Sequence, residues 1–229
     1  MRAARIKAAD RYRPWRYFYF YAHGKIALDP AYPEVARQLN ESSRPLLDIG
    51  CGMGLLASYL RANGHRGSIY GVDLDEQKIG MASQALGHER AKFQAANALD
   101  FPEHSGDVVM LDVLHYFDDA EQQLLLRKIA RSVAPGGVAL IRGALAEPNW
   151  RYALTRAEEW FVKFSGWIPH SGWNFPTREE IGRAFVGEGF QAEVCPMWGL
   201  TPFNSYLFTF RRAATGSEVS TEQNAVLAA

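Results

Sequence analysis

The sequence predicts an α/β fold: a mostly parallel sheet with an antiparallel C-terminal hairpin and helices on both faces. Three observations carry that expectation. From Pro45 to about Gly143 short apolar runs alternate with helically patterned segments, and this alternation requires parallel strands joined by right-handed crossovers. The first run, Leu46–Ile49, flows into a turn holding Gly50, Gly52 and Gly54. Near the end two strand-like runs, Gln191–Cys195 and Ser205–Phe210, follow one another without a helix between them, as a hairpin at a sheet edge does.

The strands expected in the alternating region are Leu46–Ile49, Ser68–Val72, Ala91–Gln94, Val108–Leu111 and Val138–Ile141, each short and apolar enough to be buried. Leu55–Ala62, Glu76–Leu86 and Ala120–Val133 place apolar residues at helical spacing between them. Residues 1–44 form a separate basic and aromatic segment, expected to be a helical lid. It has turns at Asp29-Pro30 and Tyr32-Pro33 and a helix near Pro33–Leu39. The main domain runs over 45–212, interrupted by an insertion at 144–176 that carries four tryptophans and three phenylalanines. A helix over Arg178–Val186 is expected after it, because Thr177 precedes the run and Glu180 stands three residues on, the spacing of a capping box. Residues 213–229 are small and polar and read as a flexible tail.

Composition narrows the classes. The 229 residues are 48% hydrophobic, enough for a well-cored domain. Lys and Arg number 25 and Asp and Glu number 25, so the whole chain offers no field that would gather nucleic acid. The balance is local nowhere near the N-terminus, where Arg2, Arg5, Lys7, Arg11, Arg13 and Arg16 meet only Asp10. Two cysteines, Cys51 and Cys195, are too few for a disulfide framework, and a bridge at Cys51 would obstruct the glycine turn; a reduced, cytoplasmic setting is expected. No stretch is long enough to span a bilayer. The aromatic run Trp15–Tyr21 ends in His23-Gly24-Lys25 without a small-residue cleavage pattern, so it is not read as a signal peptide.

The chemistry gathers at strand ends. A ligand packed against backbone at the carboxyl end of a strand leaves no room for Cβ atoms, which explains the glycines. About twenty residues on, Gly71-Val72-Asp73-Leu74-Asp75 ends a second strand in an acid, placed to accept hydrogen bonds from ribose hydroxyls. Leu55 stands where a dinucleotide fingerprint has its third glycine. That spacing favours a nucleoside without phosphates over NAD.

These segments resemble the motifs of the class I S-adenosylmethionine (SAM)-dependent methyltransferases, over roughly residues 45–143. Leu46–Gly54 is similar to that family's first motif and Gly71–Asp75 to its second. Gln94–Asp100 is similar to the third, Asp107–Phe117 to the fourth strand and its loop, and Ala134-Pro135-Gly136-Gly137 to the turn before the fifth strand. The resemblance implies a Rossmann-like class I methyltransferase sheet, SAM as cofactor and S-adenosylhomocysteine as product, with no metal site. It implies that Asp48 and the backbone of Gly50, Cys51, Gly52 and Gly54 hold the methionine end. Asp73 would bind ribose, Leu74 would pack on adenine, and Asn97 with Ala98 would edge it. The family usually has an acid where this chain has Asn97, whose amide oxygen can still accept. Asp112 would bind the cofactor where the family lines the reaction centre, or else cap a helix or turn.

Methyl transfer from a sulfonium is an in-line displacement, and a base is needed only where the acceptor carries a proton that must leave. His115, after the fourth strand, reads either as that base or as a histidine that orders its loop. His170, within the aromatic insertion, reads as a polar group of an acceptor pocket or as a surface histidine. Aromatic walls with few polar groups suit a planar or apolar acceptor. In Tyr12–Tyr21, Trp15, Phe18 and Tyr21 share a helical face. The segment would cover that pocket, dock an acidic acyl carrier protein through its arginines, lie on an anionic membrane surface, or stand simply as a solvated basic helix. The segment from His23-Gly24-Lys25 to Asp29-Pro30-Ala31-Tyr32 also resembles methyltransferases of aryl-polyene pigment clusters, which implies a phenolic acid or its carrier-bound thioester as acceptor. The expected function is methylation of oxygen or carbon on a small aromatic or apolar molecule. A non-catalytic SAM-binding regulator and a macromolecule methyltransferase are the alternatives.

Overall fold

The computed structural model describes residues 2–146, 174–198 and 204–214. Along the chain run α1 (Arg2–Asp10), α2 (Arg16–Leu28), α3 (Ala31–Gln38), β1 (Leu46–Ile49), α4 (Leu55–Ala62), β2 (Ile69–Asp73), α5 (Glu76–Leu86), β3 (Ala91–Ala95), β4 (Asp107–Leu111), a 3₁₀ turn (Leu114–Tyr116), α6 (Asp119–Ser132), β5 (Val138–Ala144), α7 (Arg178–Arg183), β6 (Phe190–Pro196) and β7 (Ser205–Arg212). The strands form one sheet in the order β3-β2-β1-β4-β5-β7-β6. The chain divides into two compact units, 1–109 and 110–229.

In the first unit β1 pairs in parallel with β2, and β2 with β3, in a register that sets Asp48 beside Gly71 and Asp73 beside Ala95. All four residues of β1 are buried, as a strand covered on both faces must be. Gly71 is required by packing: a Cβ there would lie 2.6 Å from the Phe93 ring and 2.8 Å from Cys51 Sγ. Gly54 opens α4 at φ +75°, and a Cβ on it would meet Ala82 at 3.0 Å. Helix α1 lies against α4 through Ala8 and Ala9, both fully buried, and Ser58 Oγ donates to the Ala8 carbonyl at 2.8 Å. The expected turn at Asp29-Pro30 forms, with Asp29 Oδ1 accepting from the Ala31 amide at 2.9 Å. A turn at Tyr32-Pro33 does not. Pro33 instead sits in the first turn of α3, where a helix needs no N–H donor.

In the second unit β5 is buried at every position. It pairs antiparallel with β7, which pairs antiparallel with β6, so the C-terminal hairpin closes the sheet with β6 outermost. Asp118 and Glu121 form a capping box that starts α6. Thr177 and Glu180 form the expected one at α7. That helix ends at Arg183 rather than Val186, ahead of Gly187 and Gly189 at φ +80° and +73°. Most of the aromatic insertion and nearly all of the tail lie outside the described residues. Both cysteines are free thiols. Among the described residues no helix is long and apolar enough to cross a membrane.

Overpacking of this kind destabilises by about 1–3 kcal/mol. Gly71→Ala is therefore expected to lower the urea midpoint clearly, and an unchanged midpoint would show that Phe93 gives way at no cost.

Candidate functional site

At the carboxyl end of β1 the chain buries an acid that forms no ion pair among the described residues. Asp48 is 3% exposed, and its Oδ2 has no hydrogen-bond partner. Burial, followed by the nearby charge of Asp73, pushes its carboxyl up to about 7. Tyr12 and Cys51 also lie within electrostatic reach of Asp48, and burial pushes both the phenol and the thiol up, so both stay neutral and add no second negative charge beside it. Cys51 is thus a buried thiol and not a nucleophile.

The turn that follows has Gly50, Gly52 and Gly54 at φ +74°, +53° and +75°, values that favour glycine. It is pinned from two sides. The Gly52 amide donates to Asp73 Oδ2 at 2.8 Å, and the Asp75 amide to Asp73 Oδ1 at 3.0 Å. Behind it, the buried Tyr12 hydroxyl donates to the Met53 carbonyl at 2.9 Å. Asp73 is half-buried, and Leu74 beside it is 66% exposed. Asp75 caps α5 by accepting from the Gln77 and Lys78 amides at 3.0 and 3.1 Å, and pairs with Lys78 Nζ at 3.1 Å. The Lys78 stem passes 3.9 Å from where a Cβ on Gly52 would sit. Asn97 Oδ1 accepts from the Leu99 amide at 2.9 Å, which leaves one lone pair and the amide nitrogen for a ligand. Ala98 is buried next to it.

The second unit holds a different group. Asp112 stands at φ +59° just past β4, and its amide donates to the Arg142 carbonyl at 2.9 Å. Arg142, 6% exposed on β5, grips the Asp112 carboxylate with Nε at 3.0 Å from Oδ1 and with Nη2 on Oδ2. Asp112 therefore neutralises a buried guanidinium, a role beyond both readings given for it. The His115 ring is half-buried, 4.2 Å from Tyr116 and 5.7 Å from Phe175 between centroids. Its carbonyl accepts from the Asn174 amide at 2.8 Å. Gln122 Nε2 donates to the carbonyls of Asn174 and Phe117 at 2.8 and 3.1 Å, and Asn174 Nδ2 donates to Asp119 at 2.7 Å. His170 lies outside the described residues.

Sequence reasoning missed Tyr12, Arg142, Gln122 and Asn174. Two of them carried a signal: Arg142 is a lone charge within an apolar run, and Gln122 a polar residue on the buried face of α6.

The cradle in the first unit fits SAM. An unpaired, buried carboxylate oxygen suits an ammonium, glycine backbone admits close approach, and an acid with free lone pairs stands beside an exposed leucine that a flat base could cover. A family model described as "Methyltransferase domain" matches residues 4–193. The chain belongs to that family. Ribosomal protein L11 methyltransferase from Burkholderia orbicola (strain MC0-3) is 30% identical over 138 residues, 59% of this chain and 44% of that protein. The corresponding protein of Burkholderia thailandensis is 29% identical over 140 residues, again 44% of its length. The chain thus spans less than half of these relatives. Among solved structures, magnesium protoporphyrin IX methyltransferase from Synechocystis PCC 6803, with bound S-adenosylhomocysteine, aligns at TM-score 0.63 and 20% identity over 80% of this chain and 82% of that one. Geranyl diphosphate C-methyltransferase from Streptomyces coelicolor A3(2) aligns at 0.62 and 15%, over 80% and 77%. Both likenesses show the fold.

Because folding raises the Asp48 pKa from 3.8 to about 7, the native state holds a proton that the unfolded chain gives up across that window. Stability therefore falls as pH rises between those values, and the full penalty stands above them. Asp48→Asn is expected to unfold at higher urea than the parent at pH 8, with the difference closing toward pH 4. Equal midpoints at pH 8 would contradict the buried, unpaired carboxylate.

Proposed function

We propose that the chain methylates an oxygen or carbon of a small aromatic or apolar acceptor, such as a phenolic acid or its carrier-bound form. The observation that carries the reading is the unpartnered oxygen of Asp48 under the glycine turn, because a nucleoside ligand with a cationic end, and no diphosphate, is what that cradle would reward. When bound, the cofactor supplies a methyl group on a positively charged sulfur. Asp48 would hold the ammonium end, with the Gly50–Gly54 backbone, Cys51 and Gly52 included, lying along the methionine chain. Asp73 would accept from the ribose hydroxyls with the lone pairs its two amide bonds leave free. Leu74 would cover one face of the adenine, and Asn97 and Ala98 would meet its edge.

On the acceptor side, His115 is the proposed base, taking the proton of a phenol or carboxylic acid through its imidazole. His170 is the second proposed acceptor contact. In this reading Asp112 acts indirectly: the Arg142 grip and the left-handed backbone set where the Leu114–Tyr116 turn begins, and Asn174 fixes its far end. The aromatic insertion supports an apolar acceptor through composition. The relationship to ribosomal protein L11 methyltransferases favours a second reading, transfer to a protein, but it covers too little of those relatives to lead.

Incubation with labelled SAM and a panel of phenolic acids, free and as carrier thioesters, is expected to label a small molecule. Label entering only protein or RNA would overturn the acceptor class. Losing a charge-assisted hydrogen bond costs about 1.5–3 kcal/mol, so Asp73→Ala is expected to weaken SAM binding by roughly 10- to 100-fold; unchanged affinity would contradict its placement. His115→Ala is expected to lower kcat strongly with little change in SAM affinity, and equal rates would make it structural.

A further inference from the structure

Helix α2 turns its aromatic side outward. Tyr17, Phe20, Tyr21 and Leu28 are 65%, 63%, 47% and 56% exposed, while the residues it buries are Ala22 and Ile26. At 100° per residue, Tyr17, Phe20, Tyr21, Gly24 and Leu28 fall within a stripe about 100° wide on the side away from Ile26. Gly24 lies in that stripe with open space where its Cβ would be. A surface helix ordinarily does the reverse, burying its large apolar residues and exposing polar ones. Here the contiguous rings are left in water, which marks an interaction surface. Ile6 of α1 is also 43% exposed.

The charge around this stripe is one-sided. Residues 2–28 hold seven bases and a single acid, although the whole chain balances 25 bases against 25 acids. Arg2, Lys7, Arg13 and Arg16 are exposed. Arg13 pairs with Asp10, Arg11 with Glu89 and Lys25 with Asp29. Arg2, Lys7 and Arg16 form no ion pair among the described residues.

We propose that α1 and α2 dock the chain peripherally on an anionic lipid bilayer. Tyr17, Phe20, Tyr21 and Leu28 would enter the boundary between headgroups and acyl chains, and the unpaired bases would face anionic headgroups. Charge complementarity selects the partner. A second copy of this chain would set one cationic face against another in a two-fold contact. A folded protein partner would need a groove shaped to a convex row of rings, whereas a bilayer yields to it. Tyrosine suits that boundary because its ring is apolar and its hydroxyl stays wet. At 13 residues, α2 lies on the surface and does not span. The proposal is independent of which acceptor is methylated.

The full chain is sedimented with vesicles of phosphatidylcholine alone and of phosphatidylcholine with one third phosphatidylglycerol, at low and high salt. The expected result is pelleting with the anionic vesicles only, weakened at least tenfold by high salt. The double substitution Tyr17→Ser with Phe20→Ser, and separately Lys7→Glu with Arg16→Glu, are each expected to weaken it at least tenfold. Both variants should keep S-adenosylhomocysteine affinity, which verifies that they fold. No pelleting, equal pelleting with neutral vesicles, or undiminished pelleting of either variant overturns the proposal. So does capture of an acidic acyl carrier protein through this face without vesicle binding.

Discussion

A buried carboxylate oxygen without a partner is costly, and among the described residues the fold keeps one at the end of its first strand. Asp48 lies on a strand buried at every position, beside a glycine that admits Cys51 and Phe93 to the space a side chain would fill. The cost is tolerable only if the acid is protonated or a cation arrives. The surrounding features fix the turn beside it: left-handed glycines, the amide bonds from Gly52 and Asp75 to Asp73, and the Tyr12 hydroxyl on the Met53 carbonyl. Under the proposed function, the stability lost at Asp48 is the cost of a site prepared for its ligand.

The first helix of the N-terminal segment is built into the first unit, with Ala8 and Ala9 buried and Ser58 bonded to the Ala8 carbonyl. Tyr12 continues from there into the glycine turn. What a lid reading left out is that part of this segment supports the turn from behind. Helix α2 then carries rings on its open face, and the basic residues cluster on the same stretch of chain.

Much of this was legible in the sequence, and for physical reasons. Leu46–Ile49, Leu55–Ala62 and Glu76–Leu86 appear with the expected boundaries because buried strands and amphipathic helices have distinct periods, and the Thr177–Glu180 box because capping is local. The glycine turn was legible because close backbone approach tolerates few other residues. Pro33 misled because proline breaks helices in their interior but not in their first turn. Helix α1 was hidden by its charge: Arg2–Asp10 buries only two alanines, too faint a stripe to read. Arg142 with Asp112, and Asn174 with the His115 carbonyl, depend on contacts between residues some 30 and 59 positions apart, and no local pattern encodes those. For Asn97 the residue was legible, but the bond from the Leu99 amide that occupies half of its oxygen was not.

In the proposed reading Asp48 takes the ammonium end of the cofactor, and below about pH 7 it gives up a proton to do so. Calorimetric titration with S-adenosylhomocysteine at pH 6, in two buffers of different ionisation enthalpy, tests it most directly. The account predicts heats that differ between buffers by the release of about one proton per site, a difference that disappears at pH 8.5 and in Asp48→Asn. Identical heats in the two buffers at pH 6, with binding intact, would contradict it.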